Sequence, residues 1–189
     1  MEQSIRTSPG TRRAPLKVRL VQLLQATRPF SFPLSVLPVL LGAAAVRPAS
    51  EWRWGRLLAA LATVVLLHAA GNLLNDYFDF PAGVDSRTGD KHRPGRLLVA
   101  GVLQPGTLLV EAVVCLALAV PPLLYLVQVC GPRIFLYVLP AVASLYAYTG
   151  PPFRLKHRGL GEPLVLIVFG PLLVAGAAST QVPGFPARA

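Results

Sequence analysis

Charge is what this chain has least of. Only 14% of its 189 residues are charged, against roughly 25% in an ordinary soluble domain. Acids are scarcest: 8 Asp and Glu stand against 18 Lys and Arg, for a formal net charge of +10. With 53% apolar residues, so few charges cannot shield the surface from water, which argues against a typical soluble enzyme. The same apolar content excludes a disordered chain. No soluble domain remains to carry a basic face, so no nucleic-acid partner is expected. Cysteine is nearly missing too. Cys115 and Cys130 lie in or beside one apolar stretch, without metal-ligand partners at useful spacing, and read as two small buried hydrophobes.

What is present is a series of long apolar runs. A polar, basic stretch, residues 1–28, carries Arg6, Arg12, Arg13, Lys17, Arg19 and Arg28 against Glu2 alone. No small-residue cleavage site follows a short apolar core, so it reads as a retained cytosolic tail with an amphipathic helix near Leu16–Leu24. Five apolar blocks follow: Pro29–Val46, Leu57–Leu74, Thr107–Val129, Ile134–Thr149 and Pro163–Ala178. The third belongs to a run from Leu97 to Cys130 that would measure about 51 Å as one helix, against ~30 Å of hydrocarbon. Gln104-Pro105-Gly106 divides it, leaving a short interfacial piece at Leu97–Leu103. No block alternates with period two, so a β-barrel is not expected. The expected fold class is an all-α multispan membrane protein with about five transmembrane helices.

Orientation follows from the cations. With the N-terminus inside, the tail, the second connection (Arg87, Lys91, Arg93, Arg96) and the fourth (Arg154, Lys156, Arg158) hold thirteen of the 18 Lys and Arg. Arg47, Arg53, Arg56, Arg133 and Arg188 fall outside. A multi-pass protein of the cell (inner or plasma) membrane with a cytosolic N-terminus is expected.

Four of the eight acids, Asp76, Asp79, Asp85 and Asp90, gather where the second block ends. An acid near the hydrocarbon boundary is costly unless paired or metal-bound. Asn72, Asn75, Asp76 and Asp79 are separated by helical steps, so they share a face of any helix that continues past Leu74. Pro81 and Gly83 then end that helix and let Asp85 fold back. Such a patch of hard oxygen donors suits Mg²⁺, which binds through one or two carboxylates plus substrate phosphates. Arg87, Lys91, Arg93 and Arg96 follow directly, and cations beside Mg²⁺ suit a diphosphate. A solvated loop with helix caps would show the same residues; Asp90 is assigned to that reading.

The residues from Asn75 to Asp85, NDYFDFPAGVD, resemble the first aspartate-rich motif of the UbiA superfamily of intramembrane prenyltransferases, in particular the branch acting on 1,4-dihydroxy-2-naphthoate in menaquinone synthesis. Ala26-Thr27-Arg28-Pro29, Arg96–Gly101, Tyr148–Lys156, Gly159–Pro163 and Phe169-Gly170-Pro171 resemble further stretches of the family in the same order. The resemblance implies that Mg²⁺, held by Asn75, Asp76, Asp79 and Asp85, binds the diphosphate of a polyprenyl donor. Among these, Asn75, Asp79 and Asp85 would be catalytic. The allylic C–O bond ionises and an aromatic acceptor attacks. It further implies Lys156 and Arg158 on the diphosphate, with Arg96 and Arg28 as additional contacts. Positive-inside residues without contact would look the same.

Around this motif, His68 reads as packed and hydrogen-bonded, with acceptor contact as the alternative. Glu162 is either a helix-dipole partner or part of the family's GLGEP stretch, and Glu111 is a dipole partner. Tyr146 reads as an interfacial anchor, and Tyr148 as an anchor or a wall of the acceptor cavity.

The resemblance also implies about nine spans and a second aspartate-rich motif, whereas five blocks and one cluster are present here. The expectation is therefore a truncated UbiA-type bundle: residues 1–28 as tail, 29–182 as a partial transmembrane domain and 183–189 as a short end. A fragment lacking its C-terminal half, one part of a split enzyme, and a non-catalytic remnant or binding protein are the alternatives. Other acceptors (4-hydroxybenzoate, homogentisate, a chlorin) fit the same spacing.

Overall fold

The computed structural model describes residues 15–46, 48–80, 98 and 103–182. The expected sites Asp85 and Arg96, with Asp90, the first fourteen residues and residues 183–189, lie outside the described residues. So does the interfacial piece at 97–103, apart from Leu98 and Leu103. Every regular element among the described residues is helical.

Helix α1 spans Leu16–Ala26. Its Leu23 and Ala26 pack on the core, while Val18, Leu20, Val21 and Leu24 stay exposed. Arg28 then takes a left-handed backbone, φ 56° and ψ 61°. This conformation crowds Cβ against the backbone and is uncommon outside glycine. A single 3₁₀ turn, Pro29–Ser31, leads into α2, Pro33–Val46. The first span thus starts four residues later than Pro29, because prolines lack an N–H and settle where a helix begins. The chain bends by 50° between the segment Lys17–Ser31 and α2.

Helix α3 runs unbroken over Trp54–Asp79. Its 26 residues measure about 39 Å, more than the ~30 Å hydrocarbon core. That surplus carries Asn72 through Asp79 out to one end of the bundle, as the helical spacing predicts. Helix α4, Pro105–Cys130, starts on a proline at its first position. It packs most extensively on α3, where Ala69, Ala70 and Leu73 meet Leu108, Ala112 and Cys115. Small side chains let apolar helices approach closely in lipid.

Helix α5 covers Phe135–Thr149 and a 3₁₀ turn follows at Leu155–Arg158. The fifth block is a broken helix rather than one smooth span. It consists of α6, Gly161–Ile167, a π-helical stretch Val168–Leu172, and α7, Leu173–Gln181. Gly170 leaves helical geometry (φ −88°, ψ −109°) directly before Pro171, which cannot donate the backbone bond a regular helix needs. α7 lies against α2 so closely that a Cβ on Gly42 would sit 2.3 Å from the Val174 carbonyl oxygen.

Three helical stretches are long and apolar enough to cross a membrane: Trp54–Asp79, Pro105–Cys130 and Gly161–Gln181. The bent pair Lys17–Ser31 and Pro33–Val46 makes a fourth if it acts as one span. The expected span at Ile134–Thr149 is a helix of 15 residues, about 22 Å, which alone falls short of the hydrocarbon thickness.

At the end of α3 opposite the acids, three arginines meet the last turn of α7. Arg56 Nη1 donates to the carbonyls of Thr180 and Val182, each at 3.2 Å, and Arg133 Nη2 to Ser179 at 2.8 Å. The Arg53 backbone N–H donates to Gln181 Oε1 at 2.8 Å. A helix leaves its last carbonyls unpaired and slightly negative, and arginine answers both needs.

Candidate functional site

On α3 the spacing of three and four residues brings Asn72, Asn75, Asp76 and Asp79 to one face. This face is buried: Asn75 is 7% exposed, Asp76 2% and Asp79 3%. A solvated loop is therefore excluded for these three. Buried carboxylates need cations or several donors beside them. Two distant segments supply them. From the joint between α1 and α2, the Arg28 guanidinium pairs with Asp76 Oδ1. From the 3₁₀ turn after α5, Lys156 Nζ donates to Asp79 Oδ2 at 2.5 Å and to Asn75 Oδ1 at 3.1 Å. His157 Nε2 lies 3.0 Å from Asp79 Oδ1.

The local backbone explains why these groups converge. Asn72 Nδ2 donates to the Thr27 carbonyl at 2.9 Å and to Ser31 Oγ at 3.1 Å, pinning the joint that carries Arg28. On the other side, Arg154 (φ 45°) and Gly159 (φ 74°) are both left-handed and close off the turn holding Lys156 and His157. Arg28 and Arg154 are the two non-glycine residues with positive φ among the described residues, and such strain persists where the surroundings over-determine it. Lys156 also lies 6.0 Å from the centroid of the Tyr148 ring.

A cavity of about 210 Å³ adjoins this polar face. Arg28, His68, Asn72 and Asn75 contribute its polar wall, and Leu34, Leu145, Leu164 and Val168 much of its apolar one, with Tyr148 and Phe169. Arg28 Nε is buried without a hydrogen-bond partner among the described residues. The arrangement can hold an anionic head against fixed cations and an apolar body beside it.

Of the site residues expected from sequence, Asn75, Asp76, Asp79, Arg28 and Lys156 come together. Arg158 does not join them: it is exposed and its Nη2 donates to the Pro152 carbonyl at 3.0 Å. His68 is packed and hydrogen-bonded, and it also lines the cavity. Tyr148 is a cavity wall; Tyr146 is 44% exposed and its hydroxyl donates to the Pro151 carbonyl at 2.6 Å. His157, Ser31 and Ser35 escaped the sequence reading. The spacing of the serines, four residues apart in an apolar run, was the available signal.

Among the described residues, no group of three or more His, Cys, Asp or Glu is placed to hold a metal. The donor set is nonetheless the one Mg²⁺ accepts, since it needs only one or two carboxylates besides phosphate and water. Asn75, Asp76 and Asp79 supply hard oxygens on a single helix face.

Known proteins resemble this chain in sequence. Residues 35–187 match the UbiA prenyltransferase family. UbiA prenyltransferase domain-containing protein 1 of Danio rerio is 33% identical over 171 residues, covering 88% of this chain and 49% of that protein. The protein of the same name from Homo sapiens is 35% identical over 165 residues (83% and 46%). A 1,4-dihydroxy-2-naphthoate octaprenyltransferase of Mycobacterium tuberculosis is 31% identical over 160 residues (85% and 54%). The chain spans about half the length of the curated relatives it matches. By the extent of this match, the chain belongs to the UbiA prenyltransferase family.

Proposed function

We propose that this chain carries the donor-diphosphate half of a Mg²⁺-dependent prenyltransferase. The reaction moves a polyprenyl group from its diphosphate to an aromatic acceptor. One observation carries the reading: two buried carboxylates on α3 meet Arg28, Lys156 and His157 from two other segments, beside an apolar cavity. Mg²⁺, held by Asn75, Asp76 and Asp79 with Asp85, would supply positive charge for the leaving diphosphate. Arg28 and Lys156 bind the diphosphate oxygens and Arg96 extends that set. The cavity walls receive the allylic end and the ring, and keep water from the ionised carbon.

For the acceptor, 1,4-dihydroxy-2-naphthoate is the first reading, supported by the naphthoate octaprenyltransferase among the relatives. Another aromatic acceptor is the second, favoured by the relatives whose name specifies none. We place the protein in the cell membrane, with the acids and the N-terminus on the cytosolic side, because thirteen cations fall there.

The test is Mg²⁺-dependent binding of labelled polyprenyl diphosphate to vesicles containing the chain. Saturable binding lost on chelation is expected, and Asp79→Asn should weaken it at least tenfold, roughly the effect of one charge-assisted contact. Metal-independent binding, or binding unchanged in Asp79→Asn, overturns the reading. Adding the acceptor then asks about turnover. Product from these vesicles shows that one chain suffices. Product only with the C-terminal half of a relative present shows that the site is completed by a further segment.

A further inference from the structure

His68 sits on α3 one helical turn before Asn72, in the polar wall of the cavity. Its ring is held on edge by two others, with centroids 5.6 Å from Phe32 and 5.0 Å from Phe169. Each ring nitrogen meets a serine: Nδ1 lies 3.0 Å from Ser35 Oγ and Nε2 3.3 Å from Ser31 Oγ. A serine hydroxyl has a single proton to give. Ser35 gives its own to the Phe32 carbonyl at 2.9 Å, and Ser31 to the Arg28 carbonyl at 2.8 Å.

The tautomer is assigned from these contacts, because each hydroxyl lies at donor distance from a carbonyl, which can only accept. Ser35 Oγ has only lone pairs left for the ring, so Nδ1 carries the proton. In a neutral imidazole the lone pair is then on Nε2. Ser31 Oγ already donates to Arg28 and accepts from Asn72 Nδ2 at 3.1 Å. With its proton directed to the Arg28 carbonyl, its 3.3 Å contact with Nε2 is the longer and weaker of the two that the ring makes. With Nδ1 as the donor, Nε2 is the ring nitrogen left to accept from a ligand in the cavity, whose wall His68 shares with Arg28, Asn72, Asn75 and several Leu and Val side chains.

Of the two substrates proposed above, the polyprenyl chain brings no O–H into that cavity. An aromatic acceptor bearing a ring hydroxyl does. The geometry points to His68 as a catalytic residue: Nε2 accepts the hydrogen bond of the acceptor's ring hydroxyl and then its proton. This rests on the transferase reading. In the step, the allylic C–O bond breaks and its electron pair stays on the diphosphate oxygen. A ring carbon ortho or para to the hydroxyl forms the new C–C bond to the allylic carbon. The hydroxyl proton passes to Nε2, which leaves the ring neutral in its keto form and the imidazole charged. Arg28 is the charged side chain that shares the wall, and its unpartnered Nε is a donor for a second oxygen on the same ring.

Two fluorescent probes test this on the full chain in vesicles: 4-hydroxy-2-naphthoate and 2-naphthoate, which differ by the hydroxyl alone. Inorganic diphosphate with Mg²⁺ is titrated in parallel. The hydroxylated probe should bind roughly tenfold more tightly, the worth of one buried hydrogen bond. His68→Phe should bring the two probes together without changing diphosphate binding, and His68→Gln should keep part of the preference through Oε1. Equal binding of both probes to the wild-type chain overturns the proposal, as does a preference that survives His68→Phe. The wild-type comparison decides even if His68→Phe fails to fold. Diphosphate binding without hydroxyl preference removes the role of His68 alone. Loss of diphosphate binding in the wild type removes the transferase reading.

Discussion

Asp76 and Asp79 are almost without solvent, so the side chains that face them offset the cost of burying them. Replacing Arg28 with methionine leaves Asp76 without its guanidinium. Arg28 is 19% exposed in the pair, between a surface and a fully buried ion pair, so the expected loss is about 2 kcal/mol. Thermal unfolding in detergent checks this, and the double variant Arg28→Met with Asp76→Asn should recover most of it. A single variant as stable as the wild type would show the pair contributes nothing. Lys156→Met has a different signature. Asp79 keeps His157, so stability falls less, while diphosphate affinity drops roughly tenfold. The acids were legible in the sequence because helix periodicity is local. Their partners were not: Arg28 and Asp76 are 48 residues apart, and Lys156 and Asp79 are 77 apart. The family resemblance put Arg158 beside Lys156 on the diphosphate, and only the direction of each side chain in the 3₁₀ turn separates them.

Between elements, the contact of α2 with α7 hangs on the absence of one carbon atom. A side chain on Gly42 meets backbone, which cannot swing aside. Gly42→Ala should cost about 1–3 kcal/mol by overpacking, read as a lower unfolding temperature, and an unchanged temperature would mean that the helices can separate freely. Arg56→Gln tests the opposite end of the same helix. It removes the donor to the Thr180 and Val182 carbonyls, and the loss should be about 1 kcal/mol with faster amide exchange confined to the last turn of α7. These features also show where sequence stops speaking. The apolar blocks, the proline-marked start of α4 and the continuation of α3 past Leu74 all follow from composition and local geometry. The π stretch is different: Gly170-Pro171 marks a weak point, but its form depends on packing. Arg53, Arg56 and Arg133 counted against the charge rule as loop cations; in the fold the guanidinium groups of Arg56 and Arg133 donate to carbonyls at the end of α7.

Taken whole, the chain is a bundle with its polar chemistry at one end and its arginine cap at the other, strung along α3. That helix is longer than the hydrocarbon core is thick, and its first turns are anchored by the cap on α7. With the arginine cap placed at one interface, the overhang falls at the acidic end. Bilayer thickness then sets how deep Asp76 and Asp79 lie, since a helix answers mismatch by tilting or by deforming the lipid around it. Reconstitution across a series of acyl chain lengths should show diphosphate affinity falling in thick bilayers, where hydrocarbon climbs toward the carboxylates. Flat affinity across the series would mean that tilt absorbs the whole difference. In this sense the protein is also a gauge: the proposed diphosphate site lies at the depth that one helix measures out.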